Sequence, residues 1–361
     1  MAVFGVEGVE GVEGVEGVEG VEGVEGVEGV EGVEGVEGRS GGTPSWAILS
    51  ARAGTQRMWP GANRTPAAQS AWEAFRKLAS GPRASVLSQA LGTQFAVTLA
   101  SSAAANDSAV ITVQGAPLVT LNKPSTQFLA AHQIDYLRAA ADLQADRLGE
   151  IKVQTGRLVP FFATVGYLSG DATKWTLRMA GTLLRLCKSV EMPVKMGLDV
   201  PRPIALSTAV QPVIQTPGHG SYPSGHATEA FVLATLFSRF FYATPFDPAQ
   251  AVSTQDEVMR YAARIATNRT VAGVHYPTDS MAGAVSGLTL AEALINLLDG
   301  KTQTPSRIYH GESYQGDFNL SLLGEALNDP AVVEAGTVAL DPSQVPVWMQ
   351  EMWTEIKSEW Q

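Results

Sequence analysis

The tetrapeptide Pro223-Ser224-Gly225-His226 opens an apolar-periodic run, 227–241, and so specifies a helix that begins at a hydroxyl and a glycine just after a proline. Ser224 is a natural N-cap. At such a start the first backbone N–H groups lack partners within the helix, and the aligned peptide dipoles place partial positive charge there. An anion is therefore stable at this point, and Gly225 lets the backbone approach it without a side chain in the way. Two further blocks carry cations: Lys195-x6-Arg202-Pro203 upstream, and Asn268-Arg269-x5-His275-x3-Asp279 downstream. A phosphate-like oxyanion carries about two negative charges near neutral pH and needs more than one cation around it. The pattern thus requires a fold in which three separated segments meet at helix ends.

The individual residues suit that task. Arg202 and Arg269 offer planar forks, each able to hold two oxygens, whereas Lys195 acts as a point charge. Ser224 and the Gly225 N–H complete the cradle. His226 is the second helical residue after the cap and faces the same pocket, where an imidazole can pass a proton near neutral pH. His275 precedes Tyr276-Pro277, and proline favours the first helical position, so Asp279 falls in the first turn of the next helix. A carboxylate there can fix the imidazole tautomer and leave the other ring nitrogen facing the anion.

The three blocks resemble the signature of the type 2 phosphatidic acid phosphatase and vanadium haloperoxidase superfamily over about 127–298. The third block usually begins Ser-Arg, and here it begins Asn268-Arg269; Asn also donates and accepts hydrogen bonds. The resemblance implies a mainly α fold, a helical bundle of the acid phosphatase/vanadium haloperoxidase type. It also implies that His275 is the phosphatase nucleophile or the axial ligand of vanadium in bound vanadate, and that His226 is the acid–base residue. Lys195, Arg202, Ser224, Gly225 and Arg269 then hold the oxyanion. Vanadate and the phosphoryl transition state share a trigonal-bipyramidal geometry, so both chemistries stay open. The run 222–228 and Gly273-Val274-His275-Tyr276-Pro277 look like the haloperoxidase forms. His219, seven residues before His226, is placed like the second active-site histidine of bromoperoxidases, which would favour bromide or iodide over chloride. The region 133–154, with Tyr136, Leu137, Arg138, Asp146, Arg147 and Glu150, resembles a helix preceding the site in soluble bacterial haloperoxidase-like proteins. The leading expectation is a vanadate-dependent enzyme using hydrogen peroxide and halide. The alternative is a soluble acid phosphatase that hydrolyses a phosphate ester without a cofactor. A third reading is a non-catalytic oxyanion-binding or interaction protein.

Organisation follows from pattern breaks. Residues 5–37 are eleven uninterrupted Gly-Val-Glu triplets. With no proline they prepare no polyproline strand, and eleven carboxylates without a cation repel one another. Residues 1–40 therefore read as a disordered leader or, alternatively, an acidic interaction tail. These glutamates equal the formal charge of −11, so the remainder is balanced and gives no reason to expect nucleic-acid binding. Residues 41–125 read as an N-terminal helix plus a small β-hairpin or meander at 95–99, 109–114 and 117–121. Residues 126–300 read as the catalytic bundle, with helices near 126–154, 171–190, 224–242, 254–267 and 277–298. Pro193, Pro201 and Pro203 are expected to break the chain where Lys195 and Arg202 turn inward. Residues 301–361 read as an extension with short helices near 320–328 and 347–359; another short helix is expected near 70–78. No stretch after the repeat is expected to span a membrane, since Glu229, Arg239 and Glu292 interrupt the two most apolar helices. The protein thus reads as soluble, either periplasmic, secreted or cytoplasmic. Cys187 is the single cysteine and lies in an apolar helical row, so it reads as a core residue. A homodimer through an exposed helix face is compatible with this size, although no stripe marks one.

Overall fold

The centre of the molecule is the helix that the Pro277 start predicts. The structure, a computed structural model, describes residues 50, 51, 54, 65–99, 107–242 and 245–361; the Gly-Val-Glu leader lies outside the described residues. In chain order the longer helices are α1 (Ala71–Arg76), α2 (Ser80–Gly92), α3 (Thr126–His132), α4 (Ile134–Ala140), α5 (Gln144–Gln154), α6 (Lys174–Leu198), α7 (Gly225–Phe241), α8 (Glu257–Val271), α9 (Pro277–Leu298), α10 (Leu320–Leu327) and α11 (Val347–Ser358). Strands β1 (Phe95–Leu99), β2 (Ser108–Val113) and β3 (Ala116–Asn122) precede the bundle, and β4 (Gln303–His310) and β5 (Val333–Ala339) follow it. The fold is mainly helical.

Every residue of α9 is buried, as expected of a helix apolar all round. By length and composition α9 could cross a membrane, contrary to the expectation that no stretch qualifies, but here it is wholly enclosed by the fold. Glu292, taken as an interruption, is matched inside by Arg307 of β4 at 3.1 Å. Small residues let α7 come close along one side. A Cβ on Gly283 would stand 2.5 Å from the Ser224 carbonyl oxygen, and one on Gly287 2.4 Å from that of Thr228. This glycine seam sets the height of Ser224, the residue that starts α7.

The β region is larger than a meander. Its order is β1-β2-β3-β4-β5, with β3 and β4 parallel and the other neighbouring pairs antiparallel. Residues 301–361, expected to supply only short helices, thus add two strands, pairing Val119 with Arg307 and Leu121 with Tyr309. The same segment ties down the bundle. Glu359 caps α6 by accepting from the Trp175 and Thr176 N–H groups at 2.7 and 2.9 Å, a cap that no local sequence signal reveals. At the start of α9, the Thr278 N–H donates to Gln133 Oε1 at 2.9 Å, and the Thr278 hydroxyl meets Tyr309 at 2.7 Å.

Two helix expectations change. The 126–154 run is divided into α3, α4, a single 3-10 turn and α5. Conversely, α6 continues through Pro193 to Leu198 and ends on Asp199, whose φ of 43° is left-handed. Lys195 therefore turns inward from the last turn of a helix, while Arg202 follows in extended backbone.

Candidate active site

Three segments deliver their side chains to one place. The end of α6 brings Lys195 and the loop after it Arg202; the start of α7 brings Ser224, Gly225 and His226; the end of α8 brings Arg269; and the loop into α9 brings His275, with Asp279 in its first turn. Lys195, Arg202, Ser224, Arg269, His275 and Asp279 are buried, while Gly225 and His226 are partly open. Ser224 caps α7 by accepting from the Ala227 N–H at 3.4 Å.

The imidazole of His275 has a defined tautomer. Its Nδ1–H donates to Asp279 Oδ2 at 3.0 Å, the same oxygen that accepts the Tyr276 N–H at 3.1 Å. Nε2 is then left with its lone pair, and Arg202 Nη1 donates to it at 3.0 Å. Burial, aided by the charges of Arg202 and Lys195, holds His275 well below the usual histidine range, consistent with this neutral form. Burial also raises Asp279 to about 7, opposed by Lys195 and by the Tyr276 N–H.

Arg202 is engaged more fully than its expected role requires. Its Nε donates to the His219 carbonyl at 3.0 Å, Nη1 also donates to the Val274 carbonyl at 2.9 Å, and Nη2 donates to His219 Nδ1 at 3.1 Å. His219 Nδ1 lies 3.1 Å from both Arg202 Nη2, which can only donate, and the Gly220 carbonyl, which can only accept. His219 thus joins the site through Arg202, the guanidinium bridging two imidazoles. Lys195 Nζ donates to the carbonyls of Gly220, Ser221 and Pro223, the first two at 3.4 and 3.1 Å. Burial and the Arg202 charge push it down to about 7, against the pull of Glu191 and Asp279.

Arg269 is different. Only Nη2 has a partner, Gln154 Oε1 at 2.7 Å, while Nε and Nη1 are buried without one. Such donors are costly to leave unmet, and they are the groups that an oxyanion would satisfy. His226 Nε2–H donates to the Gln154 carbonyl at 3.0 Å, leaving Nδ1 with the lone pair. Burial and the Arg269 charge press His226 down to about 3. It is therefore neutral here with weakened basicity, which narrows the acid–base role expected near neutral pH.

Gln154 and Glu191 were not singled out by the sequence, and Glu229 was noted only as interrupting an apolar helix. Gln154 is 1% exposed and receives Asn268 Nδ2 at 3.1 Å as well as Arg269, while its own Nε2 is unpartnered. As the last residue of α5 it looked like an ordinary polar helix end; only its buried register would have flagged it. The Asn268 departure is used: its amide also donates to Glu150 Oε2 at 3.0 Å and its oxygen accepts from Arg147 at 3.1 Å. Hydrogen bonding from Arg264 lowers Glu150 to about 2. Of the other 133–154 residues noted, Arg138 pairs with Asp135 at the surface and does not reach the site.

Beside His219 lies a cavity of about 630 Å³ lined by Met192, Pro193, Lys195, Met196, Asp199 and Gly220, an apolar vestibule next to the cationic cluster. Among the described residues no His, Cys, Asp and Glu grouping forms a metal site. No curated protein matches the chain. The family model of the PAP2 superfamily matches residues 176–303, the stretch containing all three blocks.

Proposed function

From this match and geometry we propose that the chain is an oxyanion-dependent enzyme of the vanadium haloperoxidase type, oxidising bromide or iodide with hydrogen peroxide. The observation that carries the reading is Arg269, whose buried Nε and Nη1 lack partners beside two neutral imidazoles. The donor set fits vanadate: Arg269, Lys195, Arg202, Ser224 and the Gly225 N–H would hold its oxygens, and His275 Nε2 would be the nitrogen that ligates vanadium. Bound vanadate supplies a Lewis acid that activates hydrogen peroxide toward halide. Asp279 keeps Nδ1 of His275 protonated and Nε2 unprotonated; Nε2 accepts from Arg202, a bond that ligation would replace. His226, neutral with an unprotonated Nδ1, presents a lone pair that can accept a hydrogen bond from hydrogen peroxide. His219 aligns Arg202 and stands where halide would approach from the vestibule.

A second reading, an acid phosphatase, draws support from the vestibule, which suits the organic part of a phosphate ester. His275 Nε2 would then form a bond to phosphorus as the ester oxygen leaves with a proton. That route asks His226 to enter protonated, which burial and Arg269 oppose. The two readings separate in one assay: purified protein with and without vanadate, tested for peroxide-dependent bromination of a dye and for aryl phosphate hydrolysis. Vanadate-dependent bromination is expected. Hydrolysis that vanadate inhibits, without halide turnover, would transfer the assignment to the phosphatase.

A further inference from the structure

Two carboxyl groups stand where an anion pocket should have none. Glu191 lies on α6 one turn before Lys195 and is 3% exposed. Its Oε2 is so close to Gly225 that a Cβ there would lie 2.8 Å from it, so the glycine of the cradle is also the space this carboxyl occupies. Its Oε1 is buried and has no hydrogen-bond partner. Glu229 lies on α7 one turn after Gly225, at the α6–α7 contact, close enough to Glu191 for the two charges to interact.

An ionised carboxylate at this edge would repel a dianion. A protonated one would donate a hydrogen bond to it. We propose that Glu191, in its protonated form, is a further oxyanion-binding residue of the cradle, and that sharing the seam with Glu229 makes oxyanion uptake pH-dependent. The inference rests on the oxyanion reading above and holds for either chemistry.

Charge and burial agree with the geometry. Burial raises Glu191 to about 7, against Lys195, Lys188 and Thr228. Burial and the Glu191 charge raise Glu229 to about 8, against Lys188, Lys195 and Arg269. Those groups face the pair from α6, α7 and α8, together with the buried Cys187 thiol of α6, which burial and both glutamates keep protonated. On the other face of α6, Arg185 is turned to Ser88 of α2 at 3.0 Å. Two adjacent carboxyls do not ionise together easily, so one proton is retained into the neutral range. The sign follows: the binding form is protonated Glu191, so affinity is complete below its raised pKa and falls as pH rises through it, by up to about tenfold per unit for one linked proton.

Tungstate is the probe, because it stays a dianion across the range and any pH dependence belongs to the protein. Its binding is measured calorimetrically from about pH 6 to 9. In the wild-type protein, affinity should fall above about pH 7 with a slope of one proton. In Glu191→Gln, which keeps shape and donor but cannot ionise, the fall should disappear and the affinity at high pH should approach the low-pH value. In Glu229→Gln, Glu191 loses its like-charged neighbour and ionises more readily, so the fall should move to lower pH. That second variant carries the test if the first does not fold. An unaltered limb in Glu191→Gln would assign the titration to Lys195 and overturn the proposal. No tungstate binding to the wild-type protein at any pH would overturn the oxyanion reading itself.

Discussion

Gly283→Ala tests whether the core sets the geometry of the site. The added Cβ would meet the Ser224 carbonyl oxygen at 2.5 Å, the Ala227 Cβ at 2.8 Å and the Thr228 nitrogen at 3.1 Å. Relaxed contacts between such atoms lie near 3.5 Å, so α7 must retreat by about 1 Å at its first turn. Overpacking of this kind costs about 1–3 kcal/mol of stability, and a displacement of about 1 Å at reacting groups costs about 100-fold in rate. Gly287→Ala is the internal control. Its Cβ would meet the Thr228 carbonyl at 2.4 Å, an equally severe clash one turn farther from the cradle. Both variants should lose a similar increment in thermal unfolding temperature, but Gly283→Ala should lose at least about tenfold more turnover than Gly287→Ala. Equal turnover in the two, with equal destabilisation, would refute the idea that the seam positions Ser224.

Asp279→Leu removes the acceptor of the His275 Nδ1–H and of the Tyr276 N–H and should lower turnover by about 10–100-fold; wild-type kinetics would contradict the tautomer assignment. His219→Phe strips Arg202 Nη2 of its acceptor and should change the bromide-to-iodide preference while the protein still binds vanadate, as read by competition with tungstate. An identical halide profile would remove His219 from the site. Glu359→Ala uncaps α6 at a point remote from the chemistry and should cost about 1–2 kcal/mol in unfolding by denaturant with KM unchanged; an unshifted midpoint would show that the cap contributes nothing.

The cationic blocks were legible because their chemistry is local: a cap, a fork and a proline-led helix start each announce themselves within a few residues. Strands β1 to β3 were legible for the same reason, lying between turn signals at Asp107 and Gly115. Strands β4 and β5 were not. Parallel pairing of Val119 with Arg307 joins segments far apart in sequence, and no nearby turn marks it. Pro193 misled because it sits inside α6, where tertiary packing of Val190, Val194 and Leu198 outweighs a lost backbone bond. Glu191 and Gln154 escaped notice because charge and amide on a helix usually face water; only burial distinguishes them. Arg202 shows the limit from the other side: the residue was found, but its fork is turned to His219, His275 and Val274, a bond pattern that spacing does not encode.

The late segment of the chain gives the molecule a sense of time. Thr278, three residues after His275, is held by Tyr309, and α6, which carries Lys195, is capped by Glu359. A ribosome that has already released the three histidines, two arginines and one lysine of the site has still not made Glu359, which caps α6. The contacts that Tyr309 makes with the start of α9 and Glu359 makes with the start of α6 therefore form only after the end of the chain has been made.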